Sequence, residues 1–229
     1  MTPPVQRSMP NRAWQTWLKF TCRLAAVYGM KVRVFGRERV PRTGGGLVLS
    51  NHQSHFDPVL VGLACERRLN YVARTTLFRS RVFRWMVAAL DAIPIDRERG
   101  GVTGLKETLK RIKRGEMVLL FPEGTRTPDG EVHEIKPGFC AIARRAKVPL
   151  IPVAIDGAFD AWPRERRLPR TSVVHIHWGE PIAPHMIEQL DDRQLVAEVQ
   201  RRVNACHTAA RQSRLRAMAR DGAVAATRA

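Results

Sequence analysis

Two stretches of this chain are apolar at every position: Val118-Leu119-Leu120-Phe121, and residues 150–155, which read Leu-Ile-Pro-Val-Ala-Ile. A β-strand turns successive side chains to opposite faces, so a run with no polar alternation has to be covered on both sides. Helices packed on both faces of a largely parallel sheet meet that demand. Further segments of strand character lie at 31–35, 46–50, 69–73, 92–95 and 172–178. Helical periodicity fills 58–67 and 103–114, where Leu105, Leu109 and Ile112 recur before Gly115 ends the run. The expected fold is α/β: a single domain with a mostly parallel central sheet of about seven strands flanked by helices. Pro152 cannot donate to a ladder, which sends its strand toward an edge or a bulge.

Both ends read differently from this core. Over residues 11–30, Arg12, Lys19 and Arg23 gather on one face of a helical wheel, while Trp14, Trp17, Leu18, Leu24, Ala25 and Tyr28 take the other. Such a helix suits a membrane interface, with rings at headgroup level and cations on lipid phosphates. An ordinary helix packed on its own core is the plainer reading. The expected divisions are 1–30 as tail and membrane-associating helix, 31–205 as the main domain, and 206–229 as an Arg/Ala-rich tail whose last 20 or so residues fray.

Lys plus Arg number 39 against 21 Asp plus Glu, a formal charge of +18. Lipid surfaces, nucleic acid and phosphorylated substrates are the partners that suit it. No helix-turn-helix, zinc-finger or single-strand stacking platform is evident, which argues against nucleic acid. The segment 67–84 holds six arginines and no acid, interleaved with apolar residues, as a lipid-facing surface would. The four cysteines stand far apart without a Cys-x-x-Cys pair, which suits a reducing compartment better than a disulfide framework or a zinc ribbon. No apolar window long enough to span a bilayer and no secretory signal is present.

Chemistry concentrates where strands end. Asn51-His52-Gln53-Ser54-His55-Phe56-Asp57-Pro58 follows one apolar strand, and open α/β sheets bind ligands at that end. A carboxylate five residues after His52 can fix the ring's tautomer and steady the imidazolium, which makes His52 a candidate general base. Asp57-Pro58 also looks like a helix start, and the two roles can coexist. Phe121-Pro122-Glu123-Gly124-Thr125-Arg126-Thr127 exits another strand with an oxyanion-binding vocabulary: a glycine for close approach, hydroxyls and a guanidinium. A polar turn through residues 127–130 is the alternative. Ile93-Pro94-Ile95-Asp96-Arg97 delivers an arginine, and residues 148–154 supply core or a groove wall. His175 and His177 share a strand face, but two ligands without a third read as a solvent-facing strand, so no metal site is expected.

Together these four blocks resemble the glycerolipid acyltransferase family, which includes the 1-acyl-sn-glycerol-3-phosphate acyltransferases. Its Asn-His-x-Ser-x-x-Asp block matches Asn51, His52, Ser54 and Asp57; an Ile-x-x-Asp-Arg-type block matches 93–97. Phe-Pro-Glu-Gly-Thr-Arg matches 121–126, and Val-Pro-x-x-Pro-Val matches 148–153. The similarity runs from about 31 to 181, with Asp91 where a glycine is common, Thr127 for a frequent serine and Arg74 for a frequent lysine. The resemblance implies transfer of a fatty acyl group from acyl-CoA or acyl carrier protein to the hydroxyl of a lysophosphatidate, with no cofactor. His52 would be the base and Asp57 its partner, while Arg97, Glu123, Gly124, Thr125, Arg126 and Lys136 would bind substrate, Glu123 in a structural or hydroxyl-binding role. An anionic membrane surface on the cytoplasmic side is the implied location. Another lyso-lipid acceptor, or an idle basic lipid-binding module, are the competing readings.

Overall fold

The computed structural model describes residues 30–74, 93–95 and 102–227. The helix expected over 11–30, but for Met30, lies outside them, as do Arg97 and residues 75–84 of the arginine-rich segment. The strands are β1 (Val32–Phe35), β2 (Gly46–Ser50), β3 (Leu69–Arg74), β4 (Ile93–Ile95), β5 (Met117–Leu120), β6 (Leu150–Asp156) and β7 (Val174–Trp178). The helices are α1 (Asp57–Ala64), α2 (Val102–Lys113), α3 (Cys140–Ala146), α4 (Ala158–Ala161), α5 (Pro184–Gln189) and α6 (Asp192–Thr227). The sheet runs β1-β7-β6-β2-β5-β3-β4, parallel at every junction except the antiparallel β6–β7 pair. The result is an α/β domain on a mixed sheet.

The all-apolar strands behave as their composition requires. Leu47 and Leu49 of β2, Val118 of β5, and Leu150 and Ala154 of β6 pack into one buried cluster with Phe139, Ile142, Leu195 and Val199. Their alternating neighbours Val48, Met117, Leu119, Ile151, Val153 and Ile155 join a second cluster with Leu60, Val61 and Trp178 on the other face. Each of these strands therefore faces two cores. Strand β2 lies between them, flanked by β5 and β6, so the loops leaving these three strands are neighbours.

Of the edge and the bulge that Pro152 allows, the strand takes the bulge, and β6 is interior. Its ladder with β7 pairs Val153 with Trp178, whereas the next bridge pairs Leu150 with Ile182, one residue out of step. Pro152 sits in that interruption, where its missing N–H is not needed, and its carbonyl accepts the Gly179 N–H at 2.8 Å.

The segment from 206 is no frayed tail: it belongs to α6, a helix of 36 residues that runs on to Thr227. Its buried stripe of Leu195, Val199 and Val203 goes on through Cys206, His207 and Ala210. Asp156, at the end of β6, then receives Arg211 at 3.3 Å and Arg214 at 3.2 Å. Burial raises the Asp156 pKa, but the His207 hydrogen bond and the two arginines outweigh it and hold the carboxyl below its ordinary value.

The same helix overturns the solvent-facing reading of β7. His175 is buried, its Nδ1 is 2.7 Å from Ser213 Oγ, and His177 Nε2 is 3.0 Å from the same oxygen. Burial pushes His175 down to about 4. Arg67 is also turned inward: its guanidinium donates to the carbonyls of Pro41, Gly44 and Gly115 at the strand-entry end, while Leu69 and Tyr71 are core. No helix among the described residues is long and apolar enough to cross a membrane.

Gly157 turns the chain out of β6 at φ 92°, and a Cβ there would meet the Val173 carbonyl oxygen at 2.1 Å. Gly157→Ala combines left-handed strain with a backbone clash and is expected to cost roughly 2 to 3 kcal/mol, read as a lowered urea midpoint. An unmoved midpoint would show that the approach is not tight.

Candidate active site

The segment leaving β2 is held from three directions. Asn51 bridges to β6, its Nδ2 donating to the Ile155 carbonyl at 3.0 Å and its Oδ1 accepting the Ile155 N–H at 2.9 Å. Ser54 Oγ donates to the Trp162 carbonyl at 2.8 Å, which also accepts the His55 N–H. Gln53 reaches beneath, its Nε2 donating to the Gly130 carbonyl at 2.5 Å and lying 3.1 Å from His207 Nε2 of α6.

Within this frame Asp57 opens α1, but its carboxylate does not cap the helix. Its Oδ2 accepts the Gln53 and Ser54 N–H groups at 2.6 and 2.7 Å, and His52 Nδ1 stands 2.7 Å away. Asp57 is fully buried, whereas the His52 side chain is 20% exposed. An oxygen that already takes two N–H donors favours the proton on Nδ1, which leaves the Nε2 lone pair free. Phe121 stacks on the imidazole at 4.1 Å between centroids and 19° between planes. The ring is thus held at an edge and a face.

The loop after β5 grips the His52 backbone. Its N–H donates to Glu123 Oε1 at 3.0 Å, and its carbonyl accepts the Thr127 N–H at 2.8 Å. Glu123 is buried, and its Oε2 has no hydrogen-bond partner among the described residues. Burial pushes its pKa up to about 7, against the opposing pull of the His52 and His133 backbone hydrogen bonds. Gly124 makes the turn at φ 76°, with its N–H on the Phe121 carbonyl. Thr125 is exposed, and so is Lys136, whose N–H ties it to the Pro122 carbonyl at 3.1 Å.

Arg126 completes the rim. It is half-buried, and its Nη1 contacts His55 Nε2. Burial and then the charge of Arg126 hold His55 down to about 4, so a neutral ring accepts from the guanidinium. Arg126 itself is lowered by burial and by neighbouring Arg164. An anion placed here would relieve both penalties. His52, Asp57, Glu123, Gly124, Thr125, Arg126 and Lys136 thus belong to two touching strand-exit loops, and Arg97 lies outside the described residues. His55, Gln53 and Trp162 were not singled out from sequence; for Trp162 the available signal was its place just after another strand exit.

Residues 31–156 match the family described as Acyltransferase. The 1-acyl-sn-glycerol-3-phosphate acyltransferase of Bacillus subtilis (strain 168) is 28% identical over 174 residues, covering 76% of this chain and 84% of that protein. Its namesake from Pseudomonas aeruginosa is 30% identical over 196 residues, 83% of this chain and 73% of that one. The crystal structure of the 1-acyl-sn-glycerophosphate (LPA) acyltransferase from Thermotoga maritima aligns with a TM-score of 0.72 at 25% identity, over 88% of this chain and 82% of that chain.

A carboxyl whose folded pKa is raised from 4.5 to about 7 stabilises the fold fully only at low pH, and that stability is lost as pH rises through this window. Glu123→Gln keeps an acceptor for the His52 N–H and removes the titration. Between pH 5 and 8, the wild type is therefore expected to lose roughly 2 kcal/mol relative to this variant. Urea unfolding of both proteins across that range measures it; parallel pH profiles would refute the buried-carboxyl reading.

Proposed function

The chain belongs to the acyltransferase family, and on that premise we propose that it transfers a fatty acyl group from a thioester donor to the free hydroxyl of 1-acyl-sn-glycerol-3-phosphate, giving phosphatidic acid. The observation that carries this reading is the His52–Asp57 pair at the exit of β2, with imidazole Nε2 left as a lone-pair base. The donor is acyl-CoA or acyl carrier protein, and the enzyme works from the cytoplasmic face of the membrane as a peripheral protein.

In the reaction, the acceptor hydroxyl gives its proton to His52 Nε2 as its oxygen attacks the thioester carbonyl carbon. The imidazolium is stabilised by the Asp57 carboxylate on its Nδ1 side, 2.7 Å away. When the tetrahedral adduct collapses, the C–S bond breaks and the thiolate leaves with the proton from Nε2. The steps balance with no metal and no cofactor. A covalent acyl-enzyme is not needed: Ser54 Oγ is engaged with the Trp162 carbonyl rather than with His52.

Arg126 is the leading phosphate ligand, since its partly buried guanidinium sits beside a neutral imidazole and Arg164. Arg97 and Lys136 add charge, Thr125 supplies a hydroxyl donor, and Gly124, turned at positive φ, lets the backbone curve beside the anion. Glu123 takes the structural role: it holds the His52 N–H and keeps the base in register with the phosphate-binding loop.

His52→Ala is expected to lower kcat by about 1,000-fold with the fold intact by circular dichroism, the range of a lost general base. Turnover within a few-fold of wild type would remove His52 from catalysis. Arg126→Ala should raise the KM for the lyso-lipid by about tenfold or more while moving that for the acyl donor little. A panel of lyso-lipids with one labelled donor identifies the acceptor, and transfer only to headgroups other than phosphate would replace the substrate named here.

A further inference from the structure

Large apolar side chains exposed among the described residues are Phe35, Leu168, Leu215 and Met218. Phe35 ends β1, which runs parallel to β7 and therefore against β6, so it lies at the end remote from the His52 loop. The other three gather at the strand-exit end. Leu168, 75% exposed, stands in the connection between α4 and β7. Leu215 and Met218, 55% and 44% exposed, follow Arg214, whose Nε donates to the Val173 carbonyl at the start of β7. Three residues apart on a helix, they are surface neighbours.

The Leu168 segment is a built feature. Its base is pinned by the Arg170 N–H on the Ala161 carbonyl at 2.9 Å and by Trp162 Nε1 on the Arg166 carbonyl at 3.0 Å. Arg166 and Arg170 both donate to the Asp160 carbonyl, at 2.9 and 2.8 Å. Arg164 and Arg167 precede the leucine and Arg170 follows it, all three exposed, with Glu165 as the one acid between residues 162 and 173. The other apolar pair has Arg216 and Arg220 beside it, both exposed.

Single apolar side chains set among guanidiniums are a poor start for a protein interface, whose centre is contiguous and depleted in charge. They suit a bilayer surface. There the leucine enters the acyl boundary while the arginines remain at phosphate depth, each adding to attraction for anionic lipid. A segment already hydrogen-bonded into shape loses little entropy on binding.

We propose that the strand-exit end of the domain seats on an anionic bilayer through the Leu168 segment and the Leu215–Met218 turn of α6. The choice of partner rests on the lipid-acceptor reading above. It also gives that reading a geometry, because Trp162, at the root of the segment, holds Ser54 and His55 of the base-bearing loop. Seating Leu168 in the leaflet brings the mouth of the site to headgroup depth, so the acceptor need not leave the membrane.

The test uses the full chain with phosphatidylglycerol vesicles, and phosphatidylcholine vesicles as the uncharged control. Leu168→Asp is expected to weaken partition to the anionic vesicles about tenfold. Its melting temperature and its turnover on lyso-lipid dispersed in detergent should stay at wild-type values. Arg167→Glu should act in the same direction, its effect fading at high salt. A Leu168→Trp variant should gain emission that brominated phosphatidylglycerol quenches. Wild-type partition by Leu168→Asp, or no added quenching in the tryptophan variant, overturns the proposal. So does a loss of turnover confined to the carrier-protein donor with vesicle binding intact, which would make this a donor-docking surface. Failure of the wild type to acylate any lyso-lipid in detergent would instead sink the acyl-transfer reading, while vesicle partition still judges the surface.

Discussion

One buried oxygen organises this molecule's chemistry. Asp57 Oδ2 accepts the N–H groups of Gln53 and Ser54 and faces His52 Nδ1, all within 2.7 Å. A carboxylate taken out of water needs its hydrogen bonds replaced, and here the three partners of Oδ2 all come from the loop it shapes, while Oδ1 has no hydrogen-bond partner among the described residues. The arrangement is self-consistent. The loop curls because the carboxylate is there, and the curl aims the imidazole so that one nitrogen is bound and the other is free.

That oxygen could not hold the loop by itself. His52 donates its backbone N–H to Glu123 and accepts the Thr127 N–H, so both its main-chain groups belong to the loop from β5. Asn51 exchanges two hydrogen bonds with Ile155 of β6, and Gln53 reaches Gly130 and His207. The base is therefore fastened to both strands that flank β2 and to the long C-terminal helix. Burial of Arg126 stores electrostatic cost at the rim, which an anionic ligand would offset in part, whereas the buried Glu123 carboxyl is raised by burial and an added anion would raise it further.

Much of this was legible from residue pattern. Polar loops carrying His52 with Asp57, and Glu123 with Arg126, each follow an unbroken apolar run, and strand exits are where open sheets bind ligands. Other features were hidden because local pattern points elsewhere. Asp57-Pro58 reads equally well as a cap, and only the turn of the carboxylate away from the helix separates the two roles. His175 and His177 look solvent-facing by alternation until α6 lies across β7. Pro152 argues for an edge unless the ladder skips a residue beside it. The C-terminal segment is arginine-rich and looks like a tail, yet Arg211 and Arg214 find Asp156.

What the amino-acid order determined by itself was periodic and local: which stretches are covered on both faces, where strands hand over to polar loops, and which reactive groups those loops carry. The tertiary structure decided which loops meet. Strand order is set by the packing of distant segments, so the contacts of His52 with Glu123, of His55 with Arg126, and of Gln53 with His207 join residues separated by 71, 71 and 154 positions. No local propensity encodes such pairs; they follow from burying two apolar faces of one sheet at once, which leaves the ends of β2, β5 and β6 side by side.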